Sequence, residues 1–275
     1  MLPLLSPTPS GLLAVVVATA LGAARLVPVI WLVTPLGGPR LPAAVRVGFA
    51  LLLALVAAPV LVASPGAGAL ADASPSQLAL LLAREIAVGF CLGLVASAAF
   101  RAAEIAGRLG DTLRGANVAE ILVPTADERA SPLGVLYVLL ATVVFLQIGG
   151  VPRLVEALLA SYRTLPIAGP IAGGLGEPAV RRAALVVVAA SAKLIASGLA
   201  LAAPVVVALW LTDLALGLIA RAAPSVPVYF LGLPLKGLLA IGVVLLGLAM
   251  LQASVARGFA SWMHLLSQAV AALRG

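Results

Sequence analysis

An all-α membrane protein is the fold class this sequence predicts, and three features carry the prediction. Of its 275 residues, 63% are hydrophobic and only 10% are charged, with a mean hydropathy of +1.20. A soluble domain has about a quarter of its residues charged. The apolar residues gather into about six runs, most of them of a length that crosses a hydrocarbon core as a helix. Proline and glycine then interrupt those runs, so straight helices are not expected. The stretch Leu216 to Lys236 is the clearest case, with Arg221, Pro224, Pro227, Pro234 and Lys236 close together. Proline removes a backbone donor and clashes with the preceding turn. Freed backbone groups at membrane depth need protein or a watery cavity to cover them. Kinked or broken helical hairpins, with an irregular, protein-covered element near the C-terminus, are therefore expected.

The runs fall at roughly 11–33, 43–63, 78–100, 132–148, 183–211 and 235–256. The first contains Arg25 and Pro28 and ends in TPLGGPRLP, which reads as a turn. No cation precedes Arg25, whereas a secretory signal begins with a positive region, so this run is read as a membrane segment. The second follows Arg46 and ends near Pro59, and the loop after it, 64–77, carries no Lys or Arg. The third leads into 101–131, the most polar part of the chain, with four Arg and five acidic residues. The segment 149–180, with its GG and GP pairs, reads as a loop. No long polar stretch makes a second domain, so 1–275 is read as a single integral membrane domain whose polar loop region is 101–131.

The +7 net charge comes from cations spread along the chain with no interleaved aromatics, which argues against nucleic acid. Membrane topology and anionic headgroups account for it better. Counting cations loop by loop favours an outside N-terminus, but Arg153, Arg163, Arg181 and Arg182 then fall on the wrong side. Hairpins that do not fully cross the bilayer would produce that conflict. Cys91 is the only cysteine and His264 the only histidine, so no intrachain disulfide and no Cys/His metal cluster is expected. HExxH, GxSxG, GxGxxG and P-loop motifs are absent. No enzyme, no cofactor and no metal are expected.

Several side chains stand out. Glu85, Gly89, Gly93 and Ser97 recur every fourth residue and share one helix face. GxxxG lets a second helix approach closely, either within the chain or from a partner. Arg101, Glu104 and Arg108 have ion-pair spacings on a helix that continues past its apolar run. In 114–132 the apolar group Ile121, Leu122 and Val123 precedes Pro124. Such a knob either closes a watery path by dewetting or packs on a helix. Lys193 and Asp213 are candidate intramembrane charges about 30 Å apart on a straight helix, so their partners must lie elsewhere. Lys193 either snorkels to an interface or faces protein. Together the two leave open an independent ion-coupled small-solute transporter.

In their order, these pieces resemble the FliR/SctT family of type III export apparatus proteins, covering the flagellar FliR branch and the SpaR/YscT/HrcT injectisome branch. The resemblance spans about residues 20–255. It runs from Arg25-x-x-Pro28, Pro35, Pro39 and Pro42-x-x-Val45-Arg46 to Arg84-Glu85-Ile86-x-x-Gly89-x-x-x-Gly93 and Ala106-Gly107. Gly115, Ser131-Pro132-Leu133, Phe145 and Gly149-Gly150 follow, then Ser161, Leu165-Pro166 and Pro204. It ends in Gly217-x-x-x-Arg221-x-x-Pro224 and Gly232-x-Pro234-Leu235-Lys236. The run from Glu128 to Gly134 leans towards the injectisome branch.

The resemblance implies a non-enzymatic subunit of a helical hetero-oligomeric export gate in the bacterial inner (cytoplasmic) membrane. Its implied partners are FliP/SctR-, FliQ/SctS- and FlhB/SctU-type proteins, with unfolded substrate proteins in transit. By position, the family's plug loop falls on about Gly107 to Val123, which makes Asn117, Ile121, Leu122 and Val123 the candidate gate residues. The tip is not aromatic, and Asn117 and Glu120 make it more polar than an apolar plug. Glu85 and Arg221, with Gly89, Gly93 and Pro224, become candidates for helix packing or subunit contact.

Overall fold

The computed structural model describes residues 9–36, 41–116, 131–169 and 177–272. Among them there are helices and no strands. The α-helices are α1 (Pro9–Leu32), α2 (Ala43–Val62), α3 (Pro75–Leu113), α4 (Pro132–Gln147), α5 (Gly150–Thr164), α6 (Glu177–Ala222), α7 (Val228–Leu246) and α8 (Leu248–Ala272). Short 3-10 helices at Thr34–Leu36 and Ala67–Asp72 link the first three. Five of the helices (α1, α2, α3, α6 and α7) are long and apolar enough to cross a membrane, or six spans if α4 and α5 together make one broken span. The chain is thus an all-α membrane protein.

Three boundaries differ from the sequence reading. The segment 149–180 was expected as a loop, yet 150–164 is helix α5. The break before it is only Ile148 and Gly149, with Gly149 at φ +68°. Leu154, Leu158 and Tyr162 then repeat every fourth residue on the buried face, while Arg153, Glu156 and Arg163 face out. The run expected at 235–256 is divided at Gly247 between α7 and α8. The proline-rich stretch is more regular than expected. Helix α6 continues to Ala222, the break covers only 223–227, and Pro234 lies inside α7. Nor does the chain itself cover it, since Arg221, Pro224, Tyr229 and Phe230 are exposed. Local breakers are a poor guide here, because a helix tolerates one missing N–H when its other bonds hold.

The backbone packs as two compact units. The first comprises Met1–Ala98, Gly149–Ser191 and Ala260–Gly275, and the second Ala99–Ile148 and Ala192–Phe259. In the first, α1 lies along α2. Ala50, Ala54, Ala57 and Leu61 of α2 form a buried stripe of mostly small side chains at helical spacing. Such stripes let helices approach where lipid supplies no hydrophobic drive. In the second, Phe100, Phe145 and Phe259 pack with ring centroids 5.0–5.2 Å apart, joining α3, α4 and α8 in one aromatic core.

Candidate functional site

In the first unit, Gly89 and Gly93 set α3 against α1. A Cβ at Gly89 would stand 2.9 Å from the carbonyl carbon of Arg25 and closer still to its oxygen. At Gly93 it would meet Leu32 Cδ1 at 2.9 Å and Val29 Cα at 3.1 Å. Only glycine permits that approach. The seam's partner is therefore α1 of the same chain.

The close approach brings three charged side chains together out of contact with solvent: Arg25, Arg84 and Glu85 are all fully buried. Arg25 Nε donates to Glu85 Oε2 at 2.6 Å, and Arg84 Nη2 lies 3.3 Å from Glu85 Oε1. Four other guanidinium contacts go to Ser161 near the end of α5 and to the residues just after it. Arg25 Nη1 reaches Ser161 Oγ at 3.2 Å, and its Nη2 reaches the Leu165 carbonyl at 2.8 Å. Arg84 Nη1 donates to the Gly169 carbonyl at 3.0 Å, and its Nη2 donates to the Pro166 carbonyl. The Tyr162 ring lies under the Arg25 guanidinium, 4.4 Å from centroid to Cζ, and its hydroxyl donates to the Gly22 carbonyl at 2.8 Å. One carboxylate thus compensates two cations; Ser161 Oγ and three backbone carbonyls take further donors, and the buried Arg84 Nε has no hydrogen-bond partner among the described residues. The network ties α1, α3 and the segment 165–169 into one piece. Glu85 is engaged inside the chain and presents no outer surface. Sequence reasoning named Arg25 and Arg84 only as parts of a motif. The signal available was a cation within an apolar run, which needs a buried anion.

The second unit holds another buried carboxylate that the sequence reading passed over. Helix α3 ends at Leu113 with Gly115 in the left-handed region, φ +81°. The amides of Gly115 and Ala116 bond back to the carbonyls of Thr112 and Asp111, as in a Schellman ending. Asp111 is buried, 2% exposed. Its Oδ1 accepts from Arg114 Nε at 2.6 Å, and its Oδ2 accepts from Ser131 Oγ at 2.5 Å and from the Leu133 amide at 2.9 Å. Ser131 in turn caps α4, accepting from the Gly134 amide at 3.1 Å. One carboxylate therefore fastens the residues on either side of 117–130. A Ser-Pro pair opening an apolar run was the legible half of this arrangement. Its aspartate partner, twenty residues upstream, was not. Replacing Asp111 by Ala leaves the Leu133 amide and the Ser131 hydroxyl without their acceptor. A loss of about 2 kcal/mol is expected, with faster amide exchange in the first turn of α4 than in its last.

The other candidates separate. Asn117, Ile121, Leu122 and Val123 lie outside the described residues. Asp213 on α6 pairs with Lys236 on α7, with side chains 47% and 16% exposed. Arg221 and Pro224 lie exposed at the α6–α7 turn. Lys193 is half-buried in α6. Glu104 bonds both Arg101, at 3.0 Å, and Arg108, at 2.7 Å, on the outside of α3. Among the described residues, no group of His, Cys, Asp and Glu has the makings of a metal site.

The chain matches the family model described as bacterial export proteins, family 1, over residues 16–262. It is 34% identical over 173 residues to Yop proteins translocation protein T of Yersinia pestis, covering 59% of this chain and 60% of that protein. It is 31% identical over 211 residues to flagellar biosynthetic protein FliR of Escherichia coli K12, covering 76% and 75%. Over 161 residues it is 31% identical to secretion system apparatus protein SsaT of Salmonella typhimurium, covering 58% and 60%. The match spans about 60% of the length of the Yersinia relative.

Proposed function

This chain belongs to family 1 of the bacterial export proteins and is an integral, multi-pass protein of the bacterial inner membrane, and from that premise we propose that it is a structural, non-enzymatic subunit of a type III export gate. The observation that carries the reading is the match across nearly the whole chain, with relatives named for both flagellar and secretion systems. Partners of the FliP/SctR, FliQ/SctS and FlhB/SctU types would complete the assembly, and unfolded substrate proteins would pass through it. The α6–α7 hairpin supports a chain built for company. Leu214, Leu218, Tyr229, Phe230, Leu231 and Leu238 are all exposed, and Arg221 and Pro224 stand at its turn as candidate contacts.

The loop carrying Asn117 and Ile121–Val123 would close the path. The Asp111 fastening supports that role, because it holds both flanks of the loop at one place. Native purification through a tag on this chain is the test. Two smaller helical-hairpin membrane proteins should co-purify in one large complex, whereas a stable lone chain, from cells that make the neighbouring proteins, would reject the subunit reading. Deleting Asn117–Leu122 should leave that complex intact while the membrane becomes leaky to small solutes. An unchanged leak in an assembled complex would sink the gate assignment.

A further inference from the structure

Helix α7 is lightly held by its own chain. Of its 19 residues, Gly232, Ala240 and Val244 are the buried ones, so the few contacts it makes decide where it sits. Several of them lie on one stripe. Leu233, Lys236 and Gly237 are spaced i, i+3 and i+4 and share a helix face. A Cβ at Gly115 would stand 2.7 Å from Leu233 Cδ2, and one at Gly237 would stand 3.8 Å from Arg114 Nη1. Gly115 is at φ +81°, so it accepts no side chain readily, and Leu233 fills the space that one would take. Lys236 lies between these two contacts along the stripe and pairs with Asp213 of α6. The stripe thus meets the turn that closes α3 and, at the same level, ties α7 back to α6.

Arg114 carries the connection further. One end of its guanidinium lies beside α7, while its Nε donates to Asp111 Oδ1 at 2.6 Å. The other oxygen of that carboxylate accepts from Ser131 Oγ and the Leu133 amide at the start of α4. Adjoining groups therefore run from Asp213 through Lys236, the α7 backbone, Arg114 and Asp111 to Ser131. We infer that the α6–α7 hairpin and the α3–α4 junction are energetically coupled. Helix α7 seats the end of α3, and the Asp213–Lys236 pair holds α7 in the position that seats it. Anything that shifts the hairpin, such as a protein docking on it, is then felt at Asp111 and in the first turn of α4. Lys236 and Leu233 act here as positioning residues for the junction. The inference concerns described residues of one unit alone, so it stands or falls apart from the export role.

Hydrogen exchange on the full chain in mild detergent, read by mass spectrometry, tests it. Lys236→Met removes the ion pair and keeps an apolar stem. The amides of 114–116 and of the first turn of α4 should then exchange about fivefold faster, the ceiling for one partly exposed pair. Helices α1 and α2 and the last turn of α4 should keep their rates. Leu233→Ala should act in the same direction by removing the seat itself. Acceleration confined to α6 and α7 would overturn the inference, as would an even rise across both units. The double variant Asp111→Ala with Lys236→Met gives a second reading. Coupled residues are not additive, so its junction should exchange more slowly than the product of the two single effects predicts. Effects that simply multiply would show the hairpin and the junction to be independent, and would overturn the coupling.

Discussion

Glu85→Gln is expected to lower the stability of the chain by about 3–5 kcal/mol, the usual effect of removing one partner from a buried ion pair. Arg25 and Arg84 would keep their charges with no carboxylate paired to them among the described residues, since Glu85 is the one both of them touch. The carbonyls of Leu165, Pro166 and Gly169 accept hydrogen bonds but bring no net charge. Unfolding in detergent should show the loss directly, as should a fall in monodisperse protein recovered from membranes. Glu104→Gln is the control. Its pairs with Arg101 and Arg108 lie on the exposed side of α3, where such bridges contribute at most about 1 kcal/mol. If the two variants behave alike, the buried network is not what holds α1, α3 and the end of α5 together.

Gly89→Leu is expected to prevent α1 from seating on α3, and with it to end recovery of any assembled complex. The added carbons would have to occupy the space of the Arg25 carbonyl, which is backbone and cannot turn aside. Even Gly89→Ala should destabilise by about 1–3 kcal/mol through overpacking. The damage would propagate, because displacing the Arg25 backbone also moves its guanidinium away from Glu85. Gly93→Leu should act in the same direction less severely, since one of its close neighbours is the movable end of Leu32. Gly48 in α2 provides the contrast. Nothing lies within 4 Å of a Cβ placed there, so Gly48→Ala should be neutral or stabilising by up to about 1 kcal/mol through helix propensity. A Gly89→Ala variant as stable as Gly48→Ala would reject the seam.

The class of the protein was legible before any coordinates. Apolar runs of spanning length register a property that each residue carries alone, transfer into hydrocarbon, so α1, α2 and the apolar part of α3 fall where hydropathy put them. The GxxxG spacing likewise announced a close helix contact, because a 3.6-residue period converts sequence distance into a shared face. Ordered motifs added the family, which no single spacing carries.

Tertiary structure decided the partners. From its spacing Glu85 read first as a packing residue within the chain, and from the family resemblance as an intersubunit one. Only the folding of α1 and the end of α5 around it brings Arg25, sixty positions away, and the carbonyls beyond Ser161 to its side. Asp111 carried no signal at all, because its chief partners, Ser131 and the Leu133 amide, become neighbours only when α4 returns to the end of α3. The same holds for Asp213 and Lys236, placed together by the α6–α7 hairpin. Burial of a group is additive along a chain and can be read from it. The neutralisation of a buried charge is a pairwise matter between distant residues, and it is fixed only when the helices meet.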